Sequence, residues 1–325
     1  MMKKEELRIV YMGTPEFAVE GLRTLVENGY NIVGVITVPD KPIGRHGSML
    51  QPSPVKQYAE SKEIPVLQPE KLKDDVFLSQ LRAWKADLQI VVAFRMLPKV
   101  VWDMPRLGTF NLHASLLPQY RGAAPINWAV INGETETGVT TFFLTHEIDT
   151  GKIILQKRIP IADTDDVGMV HDKLMSVGAG LVLETVDRLL SEEVTPVSQE
   201  QLYQHPSELH PAPKIFKETC RIDWSQPLKK TYDFIRGLSP YPAAWTELIT
   251  PEGEKQILKI YQAEKHPAVH QLQVGAIVTD NKRQMDIAVP DGYLRLLSLQ
   301  VAGKKRMNII DFLNGLKSIE GHTVI

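Results

Sequence analysis

Leu7 to Val38 reads LRIVYMGTPEFAVEGLRTLVENGYNIVGVITV, two apolar runs flanking one amphipathic segment. Leu7–Met12 is a short run of strand type. Gly13-Thr14-Pro15 then punctuates the chain, with Thr14 expected as a helix N-cap and Pro15 at the first helical position. Phe17, Val19, Leu22, Leu25 and Val26 recur at mostly helical spacing until Asn28-Gly29 stops them. Asn31–Val38 is nearly continuous in apolar residues, as a strand buried on both faces is. Strand, helix, strand in this order is a βαβ unit, which requires a parallel sheet and places the chain in the α/β class. Outward from it the alternation continues, with a helix at Pro54–Ser61, a strand at Pro65–Leu67, a helix at Asp74–Trp84 and a strand at Leu88–Ala93. Gly108–Leu112 reads as a further strand, Ala124–Ile131 as a helix, and Val139–Leu144 and Ile153–Ile159 as a strand pair. Val167, Val170, Leu174, Val177 and Leu181 step by three and four, predicting a long amphipathic helix over 164–191. Gly13 lacks the second and third glycines that let a backbone approach a pyrophosphate, so the expected sheet is Rossmann-like without dinucleotide binding.

The chain has 325 residues, enough for two domains at about 150 residues each. His205 to Pro213 holds three prolines and no periodicity, which predicts a linker at 205–213 between a first domain at 1–204 and a second at 214–325. A helical piece near 226–237 opens the second domain. Short β-like runs follow at Ala244–Ile249, Gln256–Gln262, Gly275–Val278, Asp286–Val289 and Tyr293–Val301, the pattern of a small β-barrel. The formal charge of −2 hides an asymmetry: residues 211–325 carry 16 Lys and Arg against 12 Asp and Glu. A mildly basic appendage on an acidic body suits a polyanion partner, and also arises by chance. No apolar run reaches the ~18–20 residues of a membrane span. The lone cysteine, Cys220, can form neither an internal disulfide nor a Cys-based metal cluster. The expected setting is a reducing cytoplasm, with no membrane or DNA partner and no metal.

The densest chemistry lies in Phe110–Pro125. Asn111 and His113 stand two apart at a strand end, so their side chains share one face at the edge where α/β sheets collect ligands. An amide beside an imidazole makes a pair of donors for an oxyanion; a structural histidine beside a turn asparagine is the equal alternative. Asp149, in His146-Glu147-Ile148-Asp149-Thr150-Gly151, is placed to orient the imidazole, with His146 and Glu147 as rivals.

Asn111-x-His113-x-Ser115-Leu116-Leu117-Pro118-x-Tyr120-Arg121-Gly122, with Asp149 36 residues after His113, resembles the signature of folate-dependent formyltransferases. Tyr11–Ala18, Asp40–Arg45, Pro52–Lys56, Leu238–Trp245 and Gly303–Met307 narrow the resemblance to the methionyl-tRNA formyltransferase family, end to end. That resemblance implies a Rossmann-like, formyltransferase-type sheet followed by a small OB-like barrel. It implies transfer of the formyl group of 10-formyltetrahydrofolate to the α-amino group of initiator methionyl-tRNA, with no metal and a monomeric enzyme. Asn111 and His113 would hold the oxygen of a tetrahedral intermediate, and Asp149 would complete the catalytic trio. Ser115, Leu116, Leu117 and Pro118 would adjoin the folate, and the loop after Ala93 would border the pterin. Arg45 would reach the acceptor end of the tRNA, and Lys304, Lys305 and Arg306 would bind its backbone. Two departures from relatives stand out: His46-Gly47-Ser48 after Arg45, where more basic residues are common, and Arg95, where an aromatic-glycine pair is common. The rival functions are formylation of a small amine, hydrolysis of the folate donor, and RNA binding with a vestigial centre.

Overall fold

The computed structural model describes residues 3–43, 49–316 and 318–325. In chain order the first part contains β1 (Arg8–Gly13), α1 (Glu16–Glu27), β2 (Asn31–Ile36), the antiparallel pair β3 (Lys41–Ile43) and β4 (Met49–Gln51), α2 (Pro54–Ser61), β5 (Val66–Leu67) and α3 (Asp75–Ala83). It continues with β6 (Leu88–Val92), α4 (Lys99–Trp102), β7 (Thr109–His113), α5 (Pro125–Ile131), β8 (Glu136–Phe143), β9 (Ile153–Pro160) and α6 (Val167–Leu190). The main sheet runs β5-β2-β1-β6-β7-β8-β9, parallel from β5 to β7 and antiparallel at β7–β8. The chain therefore starts in the middle of the sheet, winds out to β5 and returns on the other side of β1. Strand order reverses between β1 and β6, and the crevice outside their carboxyl ends is where such sheets bind ligands. Gly13 lies at that reversal. A Cβ there would stand 2.6 Å from the Ala18 Cβ and 3.0 Å from the Val92 carbonyl oxygen, so helix and strands approach too closely for a side chain.

Local chemistry explains the helix starts, with one correction. Ser53 caps α2 by accepting from the Lys56 N–H at 3.1 Å, and Asp74 caps α3 by accepting from Phe77. Thr14 does not cap α1. Pro15 is the N-cap residue, extended at ψ 174°, and no side chain caps the helix. The chain stays extended one residue longer than expected, so the Thr14 hydroxyl falls short of the first turn. The face bearing Val10, Met12 and Val91 packs on Phe77, Leu78, Leu81, Leu97 and Val101, each buried side chain contributing about 1.5–3 kcal/mol.

Contacts divide the chain into two units, and the division is not sequential. The second unit takes Ala123–Glu136 and Pro160–Val170 together with Ala212–Ile325, whereas the sequence predicts a single break at 205–213. Within this unit Arg236 donates to Asp233 Oδ1 at 2.7 Å and to the carbonyls of Ala162 and Asp165 at 3.2 and 2.8 Å. That network ties 160–170 to α7 (Leu228–Leu238). The proline-rich stretch is tied down as well: Pro206–Glu208 forms a 3-10 turn, the His210 carbonyl accepts from the Tyr120 N–H at 2.7 Å, and the Ala212 carbonyl accepts from Ala123.

The remaining elements are β10 (Ala244–Ile249), β11 (Lys255–Pro267), β12 (Ile277–Thr279), β13 (Met285–Val289), β14 (Gly292–Val301), β15 (Met307–Asn308), α8 (Ile309–Asn314) and β16 (Thr323–Val324). They form an antiparallel sheet in the order β12-β13-β14-β11-β10-β16, with β15 on β14. An antiparallel bridge between Ala276 and Thr323 brings the last strand back to the β12 edge, giving a nearly closed barrel. Leu258, Ile260, Leu294, Leu296 and Leu299 fill it, with Ile235 of α7 and Phe312 of α8. The expected strand at Gln256–Gln262 extends to Pro267 because β11 bends through register shifts at Ile260–Ala263. β15, α8 and β16 are too short for any periodicity to announce them.

Candidate active site

β7 ends at His113, beside the reversal of strand order. Met12, Val91 and Asn111 occupy one cross-strand row, so Asn111 shares the face of Val91, and His113 stands two residues further out on that face. The His113 ring is buried, its Nε2 2.8 Å from the Tyr120 carbonyl oxygen. A carbonyl only accepts, so Nε2 carries the hydrogen and Nδ1 is the nitrogen left for chemistry. Nδ1 lies 3.8 Å from Asp149 Oδ2, beyond hydrogen-bond reach but within ion-pair range. Asp149 is held there by the Gly122 N–H, which donates to the same Oδ2 at 2.9 Å. Asn111 Oδ1 is buried with no partner.

Of the three candidates on the 146–149 turn, the fold brings only Asp149 to His113. His146 is exposed with its ring against Trp102 at 5.4 Å, and Glu147 is exposed. The turn inverts because Asp149 adopts φ 55°, a conformation aspartate tolerates better than most residues. Ala93 at φ 47° and Tyr120 at φ 59° are likewise left-handed. Three such residues at one strand edge are the kind of backbone strain that collects at working sites.

Gln199 holds the turn from behind and carried no sequence signal. It is buried, donates through Nε2 to the carbonyls of Asp149 and Gly151 at 2.9 and 2.8 Å, and accepts from Arg121 through Oε1. Nothing in the run Ser198–Leu202 marks it; only the tertiary contact does. Replacing Gln199 by alanine should free the Asp149 turn and, where Asp149 acts in the reaction, lower turnover about tenfold or more. Unchanged kcat in Gln199→Ala would mean the turn holds without it.

Ser115, Leu117 and Pro118 are buried, and Leu116 is partly exposed. Ser115 Oγ donates to the Gln119 carbonyl at 2.7 Å, and the Leu117 carbonyl accepts from Gln156 Nε2 at 2.7 Å. These side chains shape the loop rather than line an open surface. Arg95 turns away from solvent, donating to the carbonyls of Pro69 and Glu70 at 2.7 and 3.0 Å, and burial lowers its pKa. Lys304, Lys305 and Arg306 lie exposed on the turn between β14 and β15, with Arg306 4.4 Å over the Tyr261 ring and bonded to Ser298 Oγ at 2.8 Å. Arg45 lies outside the described residues.

The profile of the Formyl transferase family matches residues 7–186, and that of the Formyl transferase C-terminal domain matches 214–317. The chain is 73% identical over 323 residues to a methionyl-tRNA formyltransferase of Parabacteroides distasonis, covering 99% of this chain and 100% of the relative. It is 51% identical over 317 residues to one from Porphyromonas gingivalis W83, covering 97% of each. The chain belongs to the methionyl-tRNA formyltransferase family. It is a formyl-group transferase, with a mixed, mostly parallel α/β sheet and a nearly closed β-barrel. Among solved structures it is similar to WlaRD, a sugar 3N-formyl transferase, at TM-score 0.62 and 17% identity, covering 92% of this chain and 99% of that one. It is also similar to HypX from Aquifex aeolicus in complex with tetrahydrofolic acid, at TM-score 0.61 and 18% identity, covering 94% of this chain and 47% of that one. At those identities what is shared is the fold. Among the described residues no helix of the formyltransferase is long and apolar enough to cross a membrane.

Proposed function

We propose that this formyltransferase moves the formyl group of 10-formyltetrahydrofolate onto the α-amino group of initiator methionyl-tRNA in the cytoplasm, giving formylmethionyl-tRNA for translation initiation. The observation that carries this reading is the convergence of Asn111, His113 and Asp149 at the strand-order reversal, in a chain that matches its relatives over 99% of its length. The amine attacks the formyl carbon. Asn111 and His113 Nδ1 stabilise the negative charge that grows on the formyl oxygen of the tetrahedral carbon. Asp149, 3.8 Å from Nδ1, takes up through water the proton that the attacking amine loses. The N–C bond forms, the bond from the formyl carbon to folate N10 breaks, and N10 takes the proton that Asp149 received from the amine. The orphaned Asn111 Oδ1 fits a folate donor in this crevice, since a buried acceptor without a partner is what a bound N–H satisfies. The loop Ser115-Leu116-Leu117-Pro118 borders the donor through its backbone and Leu116.

Lys304, Lys305 and Arg306 supply the tRNA contact of the barrel, and Arg45 a contact near the acceptor end. The stacking of Arg306 on Tyr261 presents a cation on an aromatic platform. If the three cations neutralise three phosphates, a fourfold rise in salt should weaken tRNA binding roughly 40-fold. A triple alanine variant should flatten that slope by nearly three. A slope unchanged in the variant would remove these residues from the interface. The deciding assay supplies 10-formyltetrahydrofolate with initiator methionyl-tRNA, elongator methionyl-tRNA or an amino-sugar nucleotide. Formylation of the initiator species supports the assignment; silence there with turnover of a small amine overturns the tRNA substrate and keeps the chemistry.

A further inference from the structure

Three buried side-chain atoms without a hydrogen-bond partner lie along the carboxyl rim of three adjacent strands: Thr14 Oγ1 after β1, Arg95 Nε in the loop after β6, and Asn111 Oδ1 on β7. Of the other four such atoms among the described residues, those of Tyr58 in α2 and Gln89 near the start of β6 lie off this rim, and those of Ser239 and His266 belong to the second unit. Buried polar atoms are nearly always paired in folded proteins, so a row of orphans along one ligand-binding edge points to a bound partner. Asn111 is already used by the reaction, and two of the Arg95 nitrogens are committed to Pro69 and Glu70. Thr14 is the one whose place has no structural account, since it does not cap α1.

Register narrows its place. Continuing the row Met12–Val91–Asn111 outward by two residues reaches His113, on the same face by alternation, Thr14, the first residue past the end of β1, and Ala93, whose left-handed backbone ends the alternation on β6. Two strand spacings put Thr14 and His113 about 10 Å apart. The residue between them in sheet order, Ala93, is exposed and small. If His113 and Asn111 hold the formyl oxygen, the β1 side, where Thr14 stands, is left for the nucleophile.

We propose that Thr14 is the residue that binds the attacking amine, its hydroxyl oxygen accepting one amine N–H so that the nitrogen lone pair faces the formyl carbon. The contact is a hydrogen bond; Thr14 takes no proton and forms no covalent bond. The proposal rests on the formyl-transfer chemistry above and not on the identity of the amine.

The test is steady-state kinetics of Thr14→Val and Thr14→Ser, with acceptor and folate donor varied separately. Thr14→Val should lower kcat/KM for the acceptor about three- to tenfold, the range of one neutral hydrogen bond, with KM for the donor unchanged. Thr14→Ser, which keeps the hydroxyl, should stay within about twofold of the parent. Thr14→Ala should match the valine variant, separating loss of the hydroxyl from any packing fault of valine. Wild-type kinetics in the valine variant, an equal loss in the serine variant, or a loss confined to donor KM would each overturn the assignment. Should the parent enzyme formylate a small amine and not methionyl-tRNA, the tRNA reading fails while the same variants on that amine still decide the role of Thr14.

Discussion

Replacing His113 by alanine is expected to lower kcat by about 10²–10³-fold, the cost of removing one donor from a developing oxyanion. On the proposed mechanism the ring does two jobs, and only one is chemical. Nε2 donates to the Tyr120 carbonyl and fixes the 115–122 loop; Nδ1 faces Asp149 and the crevice. His113→Gln keeps a side-chain N–H available to the Tyr120 carbonyl but has no titrating nitrogen, so it should retain the fold and still lose most of the rate. On the proposed mechanism both residues serve one oxygen, so Asn111→Ala should cost a similar factor and the double variant little more, since groups that act as a unit are not additive. Single-turnover formylation with saturating substrates measures the chemical step. Turnover within about threefold of the parent in His113→Ala would end the oxyanion role.

The largest expected effect on stability is at Arg236. Its side chain is 7% exposed and that of Asp233 4%, and the guanidinium also satisfies the carbonyls of Ala162 and Asp165. Removing one partner of a buried pair leaves an uncompensated charge and costs about 3–5 kcal/mol. Arg236→Ala should fall at the lower end of that range, because Lys229 still reaches Asp233 at 2.5 Å. Replacing both members, as Arg236→Met with Asp233→Leu, should recover much of the loss. Denaturant unfolding followed by tryptophan fluorescence reports it, since Trp224 and Trp245 lie in the same unit. A loss under about 1 kcal/mol would mean the network is not what binds 160–170 to α7.

Legibility in the sequence followed the range of the interactions. The βαβ units were readable because a buried parallel strand must be apolar throughout and a helix must be apolar every three or four residues, and both constraints act within a few positions. Asn111 and His113 could be placed on one face for the same local reason. Thr14 shows where local reading stops: Thr-Pro before an amphipathic run is a good helix start, yet the extended Pro15 moves the start by one residue and leaves the buried hydroxyl without a partner. Gln199 shows the same limit from the other side. It lies 50 residues from the Asp149 carbonyl it holds, and no spacing rule connects them.

By itself, then, the sequence determined the α/β class, the barrel that follows it, and the residue types able to stabilise an oxyanion. Those depend on period and composition, which a linear chain carries. Tertiary structure alone decided that Asp149 and not His146 or Glu147 faces His113, that Nδ1 is the free ring nitrogen, and that 123–136 and 160–170 belong with the C-terminal unit. The placing of Asp149 and of 160–170 turns on hydrogen bonds between residues distant in sequence: Gly122 to Asp149, Gln199 to its carbonyl, Arg236 to Ala162 and Asp165. Such bonds are made by whichever donor the completed fold brings within about 3 Å of a buried acceptor, and that proximity exists only after the sheet has assembled.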